Sequence, residues 1–181
     1  MEKLIENYSI DEHIHRYACW TAARAASTSR FSNSEISKFI TVSGTRDGLE
    51  ALRRENEMPH SIYKDWFIVQ SNALLKAMNE YQQPKEKKRK RKFGIAAKIL
   101  SIYVKTVEVI PSNGKSSIAL VAFPPIDSFL LKGLKNELVI NNTSWSTMEE
   151  NEYMEMIEKL KNFMGDKPFW KLEYYWDLNK Q

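Results

Sequence analysis

Two residues of this chain have types and settings suited to chemistry, Lys98 and Asp127. Lys98 follows a cationic stretch, Lys85-Glu86-Lys87-Lys88-Arg89-Lys90-Arg91-Lys92, with seven cations and one anion in eight residues. It then stands inside an apolar segment, Phe93 to Thr106, that has to be buried on most sides. Partial burial, together with cations such as Arg91, Lys92 and Lys105, would lower the pKa of an amine and make it a nucleophile. Asp127 comes after Phe123-Pro124-Pro125-Ile126 and reads as the N-cap of a new helix. A carboxylate in that place can stabilise positive charge that develops beside it if water is kept out.

Steps of four, three and seven residues return to nearly the same angle on a helix, so Gly94, Lys98, Ser101 and Lys105 share one narrow polar stripe. Ile95, Ala96, Ile99, Leu100, Ile102, Tyr103 and Val104 fill the rest of the circumference. The stripe faces either solvent, the default, or a cleft. Spacing alone does not choose between them.

Gly94-Ile95-Ala96-Ala97-Lys98, followed by an apolar helix and then Pro124-Pro125-Ile126-Asp127 at a helix start, resembles the centre of the helix-hairpin-helix DNA glycosylases of the 8-oxoguanine type. The likeness covers about forty residues, with Ala96 standing where the family hairpin has its second glycine. It implies an all-α, single-domain fold with a glycosylase-like core and little or no sheet. It also implies a DNA-binding protein resembling a base-excision glycosylase and AP lyase. Lys98 would be the nucleophile and Asp127 its electrostatic partner. Lys88, Arg89, Lys90, Arg91, Lys92, Gly94 and Lys105 would meet the DNA, with hairpin amides turned to a phosphate. A flipped base needs an aromatic face, for which Trp20, Trp66, Tyr103 and Phe129 are the candidates. No cofactor or metal is implied, and the partner is damaged or modified duplex DNA.

The elements that must position these groups read as helices. Ser9-Ile10-Asp11-Glu12 is a capping box opening a helix to about Ser27, and Ser32-Asn33-Ser34-Glu35 is a second one before Ile36–Val42. Gly44 breaks the chain, a short helix covers about 47–56, and Pro59 starts a longer one ending near Tyr81. On that helix Ile62, Trp66, Val69, Ala73 and Ala77 share one face. A basic loop is expected over 84–93 and a turn at Pro111-Ser112-Asn113-Gly114. Ser117–Phe123 reads as a strand or an extended buried segment. A helix from Ser128 to about Leu138 follows, then one capped at Thr147 and stopped at Gly165. The aromatic tail 168–176 is expected to pack back on the body.

The 181 residues suit one domain, 1–181, and the 43% hydrophobic and 28% charged content is that of a globular protein. Net charge is +4, yet the chain outside the basic run is slightly acidic. A run of this kind suits polyphosphate. If it neutralised about five phosphates, affinity would fall several hundredfold between 50 and 200 mM salt. No apolar stretch reads as a membrane span or signal peptide, so a cytoplasmic protein is expected. The single cysteine, Cys19, excludes an internal disulfide.

Two further constellations lie in Asp11-Glu12-His13-Ile14-His15-Arg16. His15 and Cys19 are one helical turn apart, although zinc would need two more ligands. His15 with Arg16 or Arg24 has the residue types of a nuclease. The competing reading of the chain is an inactive module on the same scaffold, binding nucleic acid through the basic run or a protein partner through the aromatic tail.

Overall fold

α5, Phe93–Val104, is the helix around which the others are arranged. Its sequence FGIAAKILSIYV is apolar or small on nearly every side, and such a helix has to be enclosed rather than laid on a surface. The structure is a computed structural model that describes residues 8–26, 31–81, 90–140 and 143–176. Every residue of α5 except Ile102 is buried in it.

In chain order the other elements are α1 (Ile10–Ala25), α2 (Asn33–Val42), α3 (Thr45–Arg53) and α4 (His60–Glu80) before α5. A π-helical turn, Lys105–Val109, continues α5 and is followed by α6 (Ser117–Val121) and α7 (Ser128–Gly133). A 3-10 turn (Trp145–Thr147), α8 (Glu150–Met164) and a 3-10 segment (Phe169–Tyr175) complete the fold. Among the described residues the chain is all-α, without a strand. No helix among them is long and apolar enough to cross a membrane.

α1 and α4 are the main neighbours of α5. Ala18, Ala22 and Ala23 on α1 and Ala96 and Ala97 on α5 are all buried, as close approach of two helix backbones requires. The caps form as local chemistry dictates. Ser9 Oγ accepts from the Glu12 amide at 3.1 Å, but the Glu12 carboxylate pairs with Arg16 and Arg46 instead of reaching back, so this capping box is only half formed, whereas Ser32 with Glu35 closes a reciprocal one.

Four further expectations are corrected. On α4 the buried stripe is Tyr63, Phe67, Ser71, Leu74 and Met78, while Ile62 and Val69 are exposed. The helix is apolar on two sides, and the aromatic side wins because Tyr63 and Phe67 join a ring cluster with Phe123. Ser117–Val121 is helical rather than extended: Ser116 Oγ accepts from the Ala119 amide at 3.1 Å, and a lone strand here would leave its amides unpaired. α7 ends at Gly133 rather than near Leu138, with turns beyond. α8 is capped by Glu149 with Glu152 and not by Thr147, because Thr147 is committed to the preceding 3-10 turn, its hydroxyl donating to Ser144 O at 2.9 Å.

Candidate functional site

The polar stripe of α5 turns inward. Gly94, Lys98 and Ser101 are all buried, and only Lys105, in the π turn beyond, reaches the surface. Two segments meet the stripe at Lys98, the extended Pro124–Asp127 stretch with the start of α7, and the 3-10 turn carrying Trp145.

Lys98 Nζ lies 3.2 Å from Asp127 Oδ2, with the two side chains 6% and 11% exposed. Asp127 is the N-cap of α7, its Oδ1 accepting from the amides of Phe129 and Leu130, each at 3.0 Å. Oδ2 also accepts from the indole N–H of Trp176 at 3.2 Å. Four donors therefore fill a carboxylate that has about four acceptor sites. The Lys98 amine sits 4.3 Å from the centroid of the Trp145 ring, a cation–π contact. Burial holds its pKa below the ordinary lysine value, and Asp127 acts in the opposite sense. The shift has the direction the sequence suggests, through burial, one of the two causes suggested there, and not through the neighbouring cations. Burial dominates, while Lys92 is paired with Glu149 and Lys105 with Glu173.

Gly94 places Trp145. Its amide donates to Met148 O at 3.0 Å, and a Cβ on it would lie 2.0 Å from the Trp145 carbonyl oxygen. Only glycine lets the 145–148 turn lie this close to α5. The Gly94 amide expected to face a phosphate is thus spent inside the fold, and residues 94–98 belong to the helix rather than to a hairpin.

The basic residues are only partly visible. Lys88 and Arg89, with most of the loop expected over 84–93, lie outside the described residues. Lys90 is exposed. Arg91 places its guanidinium 4.3 Å from the Phe31 ring centroid and its amide on Asn79 Oδ1 at 2.8 Å.

Of the four stacking candidates only Phe129 borders the pair, its ring edge-on to Trp176 at 5.7 Å. Trp20 stacks on Tyr17 on the exposed face of α1. Trp66 is half-buried beside Tyr63. Tyr103 is buried and bonded to His15. Sequence reasoning missed Trp145 and Trp176, the aromatic side chains that touch the amine and the carboxylate. The only signal for Trp176 was an aromatic tail too apolar for water, and for Trp145 there was none.

The His15 corner is separate. His15 Nδ1 is 2.9 Å from Tyr103 Oη and Nε2 is 3.3 Å from Ser37 Oγ. Burial, then Arg46, lowers the imidazole pKa, while burial pushes the Cys19 thiol up to about 11. A neutral imidazole and a protonated thiol, 3.8 Å apart, are poor starting points for zinc. Among the described residues no three potential metal ligands cluster. The nuclease arrangement also lacks its parts: Arg16 pairs with Glu12 at 2.8 Å, and Arg24 lies 5.6 Å from the Trp20 ring centroid.

No family model, curated protein or solved structure matches this chain.

Proposed function

We propose that the protein binds DNA and removes a base from it as a glycosylase with AP-lyase activity, Lys98 attacking the sugar and Asp127 stabilising the cation that forms there. The observation that carries this reading is the buried amine–carboxylate pair, 3.2 Å apart and flanked by two indoles. In the reaction the lone pair of a neutral Lys98 amine bonds to C1′ as the C1′–N bond breaks, its electrons leaving on the base, which takes up a proton. Loss of an amine proton and opening of the sugar ring give an imine. Loss of a C2′ proton then expels the 3′ phosphate oxygen.

The residues fit these tasks. A desolvated amine has less free energy to lose on deprotonation, and a carboxylate already fixed by the amides of Phe129 and Leu130 does not reorganise as charge develops. The Trp176 indole holds one Asp127 oxygen and gives up that bond when substrate enters. The basic run supplies affinity for the phosphate backbone, and the helices packed around α5 supply the frame.

The opposing reading is a binding module in which Lys98 and Asp127 are a structural pair, favoured by the 5% exposure of the lysine. Borohydride reduction on abasic-site DNA separates the two. A covalent adduct that Lys98→Gln abolishes supports the enzyme. Salt-sensitive DNA binding with no adduct sinks it and leaves the module. Strand cleavage that survives Lys98→Gln but not His15→Ala would move the chemistry to α1.

A further inference from the structure

A groove of about 810 Å³ lies between the far end of α5 and the C-terminal 3-10 segment, and neither Lys98 nor Asp127 lines it. Its lining is apolar at Val109, Ile110 and Met164 and aromatic at Trp170, Tyr174 and Tyr175. Tyr174 is 86% exposed, a large open ring whose one aromatic contact is edge-on to Tyr175 at 5.5 Å among the described residues. Trp170 is fixed by the turn opposite. Gly114 has φ +69°, and a Cβ on it would come within 2.7 Å of the indole nitrogen, so glycine meets both the backbone and the space requirement.

The charge at the rim is one-sided. Glu173 is the single lining carboxylate and is paired with Lys105. Lys167 and Lys171 have no carboxylate partner among the described residues, and the Lys171 amine lies 5.6 Å from the Trp170 ring centroid. An open tyrosine ring beside a partly exposed indole and lysines without a carboxylate partner is an arrangement that takes bases by stacking and phosphates by charge. An acidic peptide would satisfy the lysines and leave the rings unused.

We infer that this groove is a binding site for an unpaired stretch of nucleic acid, with a base on Tyr174 or Trp170 and phosphates on Lys167 and Lys171. The inference rests on the reading of the chain as a DNA-binding protein and gives it a strand-tracking surface. Lys105 lies seven residues beyond Lys98 on the same stripe of the α5 axis, about 10 Å away. That is the rise of about three stacked nucleotides, so a strand engaged at Lys98 has its neighbours within reach of the groove.

The test uses the whole protein and undamaged oligothymidylate of eight nucleotides, which offers Lys98 no abasic sugar. Binding is read by anisotropy of a labelled strand at several salt concentrations. Tyr174→Ala is expected to weaken binding at least about fivefold, the lower end of one base's stacking. Replacing Lys167 and Lys171 together by glutamate is expected to weaken it further and to flatten the salt dependence, by about 0.7 in logarithmic slope for each phosphate no longer neutralised. Both sites are exposed, and circular dichroism checks that the variants remain folded. No binding by the parent protein, variants that bind like the parent, or polyglutamate competing as well as the oligonucleotide would each overturn the inference. Borohydride trapping is scored separately. Loss of binding in the variants without any adduct keeps the groove and discards the enzyme, and an adduct with unaltered binding does the reverse.

Discussion

Lys98 and Tyr103 leave α5 on different sides, and the helix buries the polar atom of each in a different way. Lys98 points to α7 and the Trp145 turn, where its charge meets Asp127. Tyr103 points to α1, where its hydroxyl meets the neutral imidazole of His15. The Tyr103 corner is a hydrogen-bonded neutral pair of the kind that cores accommodate at small net gain. The Lys98 corner holds a pair of opposite charges, which a stable core does not need, since apolar side chains of the same volume often serve as well or better. The difference teaches that burial of a polar group is no sign of function by itself. What sets Lys98 apart is a charged amine held below its ordinary pKa beside a preorganised carboxylate.

The sharpest way to break the comparison is to remove one charge at a time. Asp127→Ala leaves the Lys98 ammonium buried without its acceptor and takes away the α7 cap. The expected loss of stability is about 3–5 kcal/mol for the pair and about 1 kcal/mol for the cap. Lys98→Met leaves Asp127 with the Phe129, Leu130 and Trp176 donors, and its loss should be well under half of that. Urea unfolding of both variants measures the asymmetry. Equal losses would mean that the amine is as much a structural element as the cap, against a reactive role.

Gly94→Ala comes next. The new Cβ meets the Trp145 carbonyl oxygen, which is backbone and cannot rotate away. Either the start of α5 or the 145–148 turn must shift, for about 1–3 kcal/mol. Because Trp145 moves with its turn, adduct formation should fall more than stability does. An alanine variant that trapped as well as the parent would show that the Trp145 position is immaterial to the amine.

How far these corners were legible follows from what local sequence encodes. Ser9, Ser32 with Glu35, and Asp127 could be placed because a cap depends on residues three or four positions away. Lys98 and its stripe could be placed by angle. Their inward direction could not, because periodicity gives a bearing on the helix and not what stands at that bearing. The same limit misassigned α4, where the stripe of Ile62 and Val69 was as regular as that of Tyr63 and Phe67 and only the Phe123 cluster decided between them. Trp176 reaches Asp127 across 49 residues of chain, a contact that no local pattern announces. His15 and Cys19 were correctly read as neighbours, but their burial against Tyr103, 88 residues on from His15, removes the chemistry that the spacing suggested.

On the neutral side, Tyr103→Phe removes one hydroxyl and leaves His15 Nδ1 without that partner, for an expected loss of about 1 kcal/mol. Adduct formation on Lys98 should be unchanged. A variant that lost the adduct while staying folded would tie the two sides of α5 together and dissolve the contrast.

The smallest effect, and the one that separates the corners most cleanly, is their pH dependence. Burial lowers the folded pKa of His15 below 6.5, with Arg46 and Arg16 acting the same way and Glu12 against them. Between the folded and unfolded values the unfolded chain binds more protons, so this contribution is complete above the unfolded pKa and is lost as pH falls toward the folded one. His60 shifts in the same direction, so the quantity to measure is the change, between neutral pH and pH 5.5, in the stability difference between the parent and His15→Gln, limited by linkage to on the order of 1 kcal/mol. The Lys98 pKa is lowered from 10.5, and the same linkage puts its gain in stability on the alkaline limb. There Lys98→Met should flatten the rise while His15→Gln leaves it alone. On the proposed attack by Lys98, adduct formation should climb on that limb too, at lower pH than for an ordinary lysine, because such an attack needs the neutral amine. If the acid limb were flattened by Lys98→Met, or the alkaline one by His15→Gln, the two corners would be one coupled network.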